Sequence, residues 1–222
     1  MSIHNFVAIL SVIDPPNTPL SYINTRSVFS KKERFDQTML TINSIKKYII
    51  NPYICFIECS VLEEEYELPI KELVDKYINL YSNEEAKEII FSPYKGFGES
   101  IQVIEAIKNI PKNISFSNFF KIAGRYVLNE NFDYNKFENN KIVIKKIDSI
   151  NNISTIFYKI PLQNLEEFMN FHKQSIHLFK AGYGSEIIFA YFINSKNEKD
   201  LQFMNPMGIE GYVSVCGSFV SC

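Results

Sequence analysis

The run "FVAILSVID", residues 6 to 14, constrains the fold more than any other stretch of the chain. It is apolar at nearly every position instead of at alternate ones. As a strand it must therefore be covered on both faces, and Pro15 and Pro16 end it. After a long loop the period changes. From Ser30, which forms a capping box with Glu33, the residues Phe35, Met39, Ile42, Ile45 and Ile49 recur at three- and four-residue steps, as on one side of a helix. A doubly covered strand followed by a helix is the opening unit of a parallel sheet.

The alternation continues. "YICFIEC" (53–59) reads as a second strand and "IKELVDKYINLY" as an amphipathic helix, with "LEEEYE" as its solvated entry. "EIIFSP" reads as a third strand stopped by Pro93, "GESIQVIEAIKNI" (98–110) as a helix, and residues 118–127 as a fourth strand. Beyond that the order changes. "KIVIKKI" (141–147) and "STIFYKI" (154–160) predict strands, "LQNLEEFMNFHKQSIHLF" and "GSEIIFAYFI" predict helices, and "GYVSVCGSFVSC" predicts a hairpin turning near Gly217. No repeat or low-complexity linker interrupts the chain. The expected architecture is one Rossmann-like α/β domain over residues 1–222, with a mainly parallel central sheet flanked by helices and a mixed C-terminal half.

Charge narrows the partners. A net charge of −2 and a pI near 6.0 supply no broad basic field, so nucleic acid is not the expected ligand. A small anion needs only a local positive pocket. The cysteines Cys55, Cys59, Cys216 and Cys222 show neither CxxC spacing nor histidine partners, and read as reduced thiols. No signal peptide is recognised, and no apolar run reaches the ~18 residues of a membrane span, so the cytoplasm is the expected compartment.

In open α/β sheets, ligands sit beyond the carboxyl ends of the strands, against loops and helix amino termini. The loop after the first strand, "DPPNTPLSYINTRSVFS", is unusually long. It carries Asp14, Asn17, Thr18, Tyr22, Asn24, Thr25 and Arg26, either as ligand groups or as parts of a stiffened surface loop. "SPYKGFGES" places Lys95, Gly96 and Gly98 directly before a helix, as a phosphate-binding turn would. The fourth strand ends in "KIAGRY". Gly124 stands where a side chain would obstruct a ligand or a neighbouring backbone, and Arg125 offers a planar donor fork to the same crevice. Lys121 either serves the same anion or lies at an edge. His172 and His177, about 500° apart on a helix, do not share a face. His172 reads as half-buried, His177 as acceptor-site lining.

The segments "PPNTPLSYINTRSVFSKKERFDQT" and "FFKIAGRYVLN", with the order of elements around them, resemble the GT-A fold of nucleotide-sugar glycosyltransferases, and more narrowly a group of small glycosyltransferases from large DNA viruses and bacteria. The resemblance implies a UDP- or GDP-linked sugar across the carboxyl edge of the first four strands. Residues 1–130 would form the sugar-nucleotide half and 131–222 the acceptor half. Arg26 and its neighbours would lie near the nucleotide and Arg125 near the diphosphate. It also implies transfer of a hexosyl or deoxyhexosyl group to a glycan hydroxyl, in the host cytoplasm if the chain is viral.

One departure matters. Most GT-A enzymes hold Mn²⁺ or Mg²⁺ with an Asp-x-Asp motif after the fourth strand; this chain has no Asp-x-Asp, and "GRYVLNENFD" stands there. Either Arg125 with Lys121 or Lys95 neutralises the leaving diphosphate directly, or Glu130 or Asp133 holds a metal through one carboxylate and waters. Glu186, in the first turn of a helix behind two glycines, resembles the acidic base of GT-A enzymes, which would make the transfer inverting. Two rivals stay open at this point: a non-catalytic binding module of the same fold, and a nucleotidyltransferase. The latter would call for a glycine-rich, lysine-bearing loop where "DPPNTPLSY" stands.

Overall fold

A computed structural model describes residues 4–82, 84–147 and 152–222. The first strand, β1 (His4–Ser11), is the pivot of a seven-stranded sheet. It is followed by α1 (Lys31–Tyr48), β2 (Pro52–Glu58), α2 (Glu64–Leu73), β3 (Lys76–Asn79), α3 (Glu84–Phe91), α4 (Lys95–Lys108) and β4 (Phe116–Ala123). The second half contributes β5 (Tyr126–Leu128), β6 (Ile142–Ile144), β7 (Phe157–Pro161), α5 (Leu165–Gln174), α6 (Ile176–Lys180), α7 (Ser185–Asn194), β8 (Leu201–Phe203), β9 (Ile209–Tyr212) and β10 (Phe219–Ser221).

The large sheet has the order β3-β2-β1-β4-β7-β6-β8, and β7 alone runs against the others. β1 through β3 proceed toward one edge and β4 returns to the other side of β1, so the strand order reverses between β1 and β4. A reversal of this kind opens a crevice at the carboxyl ends of the two strands. The continuous apolar run of β1 is explained by its two faces. Phe6, Ala8 and Leu10 join the core beneath α4, α5 and α7, while Val7 and Ile9 join the core beneath α1. Cys55 and Cys59 fall on the first of these faces.

Four expectations are corrected. The helix expected over "IKELVDKYINLY" ends at Leu73, and Lys76–Asn79 pairs in parallel with β2. The switch is local: the Asp75 carboxylate accepts from the Ile54 N–H at 2.8 Å and the Asp75 N–H donates to the Ile54 carbonyl at 3.0 Å, which captures the chain on the open edge of β2. "EIIFSP" is the end of helix α3, because Ile89 and Ile90 are both buried and find an α4 partner instead of a strand. The helix expected from residue 98 starts at Lys95, so Gly96 and Gly98 lie inside its first turn. The fourth strand stops at Ala123, and β5 departs into a separate sheet of order β10-β9-β5. The strand β8 carried no sequence signal that was recognised. The terminal hairpin is present as β9 and β10, and Gly217 turns it at φ +71°.

Candidate active site

A cavity of about 440 Å³ occupies the reversal crevice, within the range usual for small-molecule sites. Its floor is the carboxyl end of β1 (Leu10, Ser11) and of β4 (Ala123). Its walls are the loop after β1, the first turn of α4 and the first turn of α7. Neither helix has a side-chain cap, so the first-turn N–H groups of both are left for whatever fills the space between them.

The two helix starts are held close by glycine. A Cβ on Gly96 would stand 2.9 Å from Ser185 Oγ and 3.0 Å from the Phe179 ring. Gly98 is equally tight, 3.0 Å from Ile89. These glycines permit α4 to approach α7 and α3. They are not a flexible phosphate loop, although both border the cavity. Gly124 has the same kind of reason. Its N–H donates to the Leu10 carbonyl at 3.0 Å, its carbonyl accepts from Thr38 Oγ1 at 2.9 Å, and a Cβ would crowd Leu10 O and Ser11 at 3.3 Å. It lies under the site as backbone packing and is not among the lining residues.

Five cations line the cavity, Arg26, Arg34, Lys95, Lys121 and Arg125, against two carboxylates, Glu99 and Glu186. In a chain of net charge −2 this is a local positive pocket. The five divide by partner. Lys121 sits mid-sheet, not at an edge, and its ammonium is engaged by Glu99 Oε1 at 2.5 Å and by the Thr155 carbonyl. Glu99 also accepts from Ser185 Oγ at 3.2 Å. Burial works against the Glu99 charge, but Lys121, Lys95 and Ser185 outweigh it and hold its pKa below the usual carboxylate value. Arg26 donates to Thr18, to the Phe91 carbonyl at 3.2 Å and to the Ser92 carbonyl at 2.5 Å, which staples the long loop to the end of α3. Arg34, which the sequence reading passed over, is buried and donates to the Val12 carbonyl, to Ser27 Oγ at 3.1 Å and to Ser214 Oγ at 2.7 Å.

Arg125 and Lys95 differ from these three. The Arg125 side chain makes no hydrogen bond or ion pair among the described residues, and its Nε is shielded from water with nothing to donate to. Burial lowers its pKa, with Tyr126 and Glu99 opposing. A Cβ on Gly211 would lie 2.5 Å from the Arg125 carbonyl, so β9 presses on this backbone and fixes where the side chain starts. Lys95 is solvent-accessible but enclosed by the cavity walls, and likewise lacks a hydrogen-bonded or ion-paired partner among the described residues. Enclosure first, then the charge of Arg125, push its pKa down to about 8.

Glu186 is half-buried in the first turn of α7 and faces the cavity. Asp14 and Asn24 are not among the lining residues. Asp14 forms an ion pair with Lys31 at 2.7 Å, and Asn24 is exposed. Glu130 and Asp133 are also elsewhere: β5 carries the chain away from the crevice, Glu130 is exposed, and Asp133 caps a short turn by accepting from the Asn135 N–H at 3.1 Å. His172 is buried, not half-buried, against Ser100 Oγ at 2.9 Å, and burial pushes its pKa down to about 4. His177 is exposed and outside the lining. Sequence reading missed Glu99, Gln102, Tyr126 and Tyr183. Of these, Glu99 stands three residues after Gly96, and a helix start placed at Lys95 would have put it on the crevice side.

Solved structures share this arrangement. Core-mannan synthase A of Aspergillus fumigatus in its Mn/GDP form superposes with a TM-score of 0.54 at 7% identity, covering 94% of this chain and 74% of that one. A glycosyltransferase involved in glycosylation of the major capsid of PBCV-1 gives 0.51 at 12%, covering 91% and 82%. The fold is of the GT-A type. The same sheet serves CTP:phosphocholine cytidylyltransferase of Streptococcus pneumoniae, with a TM-score of 0.52 at 10% identity over 97% of this chain and 95% of that one. No protein-family model matches the chain, and no curated protein sequence does.

For a GT-A fold the question of a divalent ion must be put to the donors. Glu99 is engaged by Lys121 and Ser185, Arg125 stands just after the β4 end, and no group of three or more His, Cys, Asp or Glu able to hold a metal occurs among the described residues. The donor set does not fit a protein-held divalent ion. No helix among the described residues is long and apolar enough to cross a membrane.

Proposed function

We propose that the chain is a glycosyltransferase that moves a sugar from a nucleotide diphosphate to a glycan hydroxyl, with the donor bound mainly by residues 1–130 and the acceptor mainly by residues 131–222. The observation that carries the reading is the pair of cations without partners, Arg125 and Lys95, in a positive crevice at the strand reversal. A buried donor with no acceptor is costly unless a ligand supplies one. A diphosphate does so with several oxygens at once.

In this mechanism Glu186 accepts the proton of the acceptor hydroxyl, whose oxygen forms the new bond to the anomeric carbon. The bond from that carbon to the diphosphate oxygen breaks on the opposite side, giving inversion. The electron pair leaves with the diphosphate, and Arg125 and Lys95 meet the growing negative charge together with the first-turn N–H groups of α4 and α7. Arg26 and Arg34 shape the nucleotide end by holding the loop in place.

The test is a thermal-shift panel of UDP-, GDP-, CMP- and dTDP-sugars in EDTA and in Mn²⁺, since a ligand bound only by the folded state raises the melting temperature. A shift in EDTA supports the cation-based site. A shift only in Mn²⁺ refutes that part of the reading, and no shift with any of them refutes the whole. The likeness to a cytidylyltransferase sustains a second reading, nucleotidyl transfer. That activity would release pyrophosphate from a nucleoside triphosphate and a sugar phosphate, and a pyrophosphate assay separates the two. A non-catalytic module would bind the donor and never consume it.

A further inference from the structure

Three tyrosines gather on one side of the cavity mouth. Tyr22 comes from the loop after β1, Tyr94 from the residue before α4, and Tyr183 from the approach to α7. They are brought together by specific contacts. The Ser21 N–H donates to the Pro93 carbonyl at 2.9 Å, which ties the loop to the α4 entry. Gly182, at φ +92°, lies so close to the Tyr94 ring that a Cβ would approach it to 3.0 Å. Gly182 thereby turns the chain and presents Tyr183 outward. Tyr22 is 64% exposed and Tyr183 49% exposed, although both line the cavity. Large rings left open at the rim of a polar cavity mark a place that something else covers.

Their position relative to the charged groups says which end of the site this is. Glu186 and Arg26 both act electrostatically on the Tyr22 hydroxyl, and Tyr183 precedes Glu186 by three residues. The apolar recess that would accept a flat nucleobase is elsewhere in the cavity, against Pro15, Pro16, Leu20, Ile89 and Ile90. Chemistry narrows the occupant further. A tyrosine offers an apolar ring face with a hydroxyl at its edge, which matches a pyranose: one face of C–H groups, with hydroxyls around the rim. An acyl chain would require a dry aliphatic slot, and these rings are half in water.

We propose that Tyr22 and Tyr183 form the acceptor subsite of the crevice, a stacking platform for a pyranose ring whose neighbouring hydroxyl is delivered to Glu186. This rests on the reading of the crevice as a glycosyltransferase site. The acceptor class is thereby an oligosaccharide or glycoside, not a peptide hydroxyl or a lipid.

The experiment uses the full chain saturated with UDP or GDP, whichever raises its melting temperature, and follows cellobiose, maltose and chitobiose by saturation-transfer NMR. The wild type is expected to attenuate the ring protons of at least one disaccharide. Tyr22→Ala and Tyr183→Ala should each weaken that binding roughly five- to tenfold, about what an aromatic stacking contact supplies, with nucleotide affinity and apo melting temperature within error of wild type. Loss of nucleotide affinity in either variant would mean that the rings hold the base, and would overturn the proposal. So would a nucleotide-bound wild type that binds none of the three disaccharides, an outcome that leaves the donor reading standing. A wild type that binds no nucleotide would remove both readings together.

Discussion

Replacing Arg125 by methionine should make the empty protein more stable and the donor-bound protein less so. Methionine keeps most of the apolar stem and removes the guanidinium, whose Nε is shielded and without an acceptor. An unsatisfied buried donor costs about 1–3 kcal/mol, so after some loss of packing the apo variant should gain roughly 1–2 kcal/mol. In a chain of 222 residues that corresponds to a rise in melting temperature of about 2–8 °C. The opposite holds with ligand. Loss of a charge-assisted contact of about 1.5–3 kcal/mol weakens donor binding roughly ten- to hundredfold. At a donor concentration of 100 times the wild-type Kd, wild type gains about 2.7 kcal/mol from binding and a hundredfold-weakened variant only about 0.4 kcal/mol. Differential scanning fluorimetry with and without the UDP- or GDP-sugar reads both effects in one plate. A variant that melts more than 2 °C below wild type when empty and keeps the full ligand shift would refute the argument, for it would mean that Arg125 is a structural residue whose partner is water or backbone.

Glu186→Gln should bind the donor as wild type does and lose transfer by roughly 10²- to 10⁴-fold, the usual contribution of a general base, as followed by release of nucleoside diphosphate. The Lys95 ammonium, with its pKa at about 8 in the empty site, should be recharged by a bound diphosphate, so donor affinity should fall as pH rises through 8 toward 10, and Lys95→Met should flatten that profile in calorimetric titrations. The same lowered pKa means that between about pH 8 and 10.4 the unfolded chain binds the extra proton, so the Lys95 contribution to apo stability grows with pH across that window, opposite in sign to its effect on binding. Glu99→Ala strands the buried Lys121 ammonium and should cost about 3–5 kcal/mol, whereas Glu99→Ala combined with Lys121→Met should recover most of it in denaturant melts.

The parts of this molecule legible from sequence are those in which a local pattern and the tertiary demand coincide. The run of β1 is apolar throughout because both of its faces are covered, and the Ser30–Glu33 box starts α1 where it should. The misreadings arise where a contact distant in sequence decides. "KYIN" continues a helical period yet becomes β3, because the free edge of β2 and the Asp75–Ile54 bonds reward pairing. Gly96 and Gly98 look like a phosphate loop because a glycine required for flexibility and one required for close helix approach are written with the same letter; only Ser185, 89 residues on from Gly96, distinguishes them. Arg125 could be chosen from sequence because it follows directly on a glycine at the end of a buried strand. Glu99 could not, since its meaning depends on Lys121 across the core.

The cations of the crevice show how a GT-A sheet can receive a diphosphate with its own side chains. A protein-held metal needs carboxylates converging on one point, and their mutual repulsion is relieved when the ion binds. Here the sign is reversed. Lys121 and Arg34 are locked into buried hydrogen bonds that fix the floor and the loop, and Arg26 is stapled to the end of α3. They raise the local potential without being free to move onto a ligand. Arg125 and Lys95 are the two left over, and each disfavours the other: Arg125 is among the causes that lower the Lys95 pKa. An anion between them would remove that repulsion and satisfy the stranded Nε in one event. The same geometry argues for loose holding of the product, because the enclosure that strengthens the contact in the transition state also depresses the Lys95 pKa once the diphosphate leaves. An arginine carries the permanent charge that bond breaking requires, and a lysine poised near pH 8 can let it go.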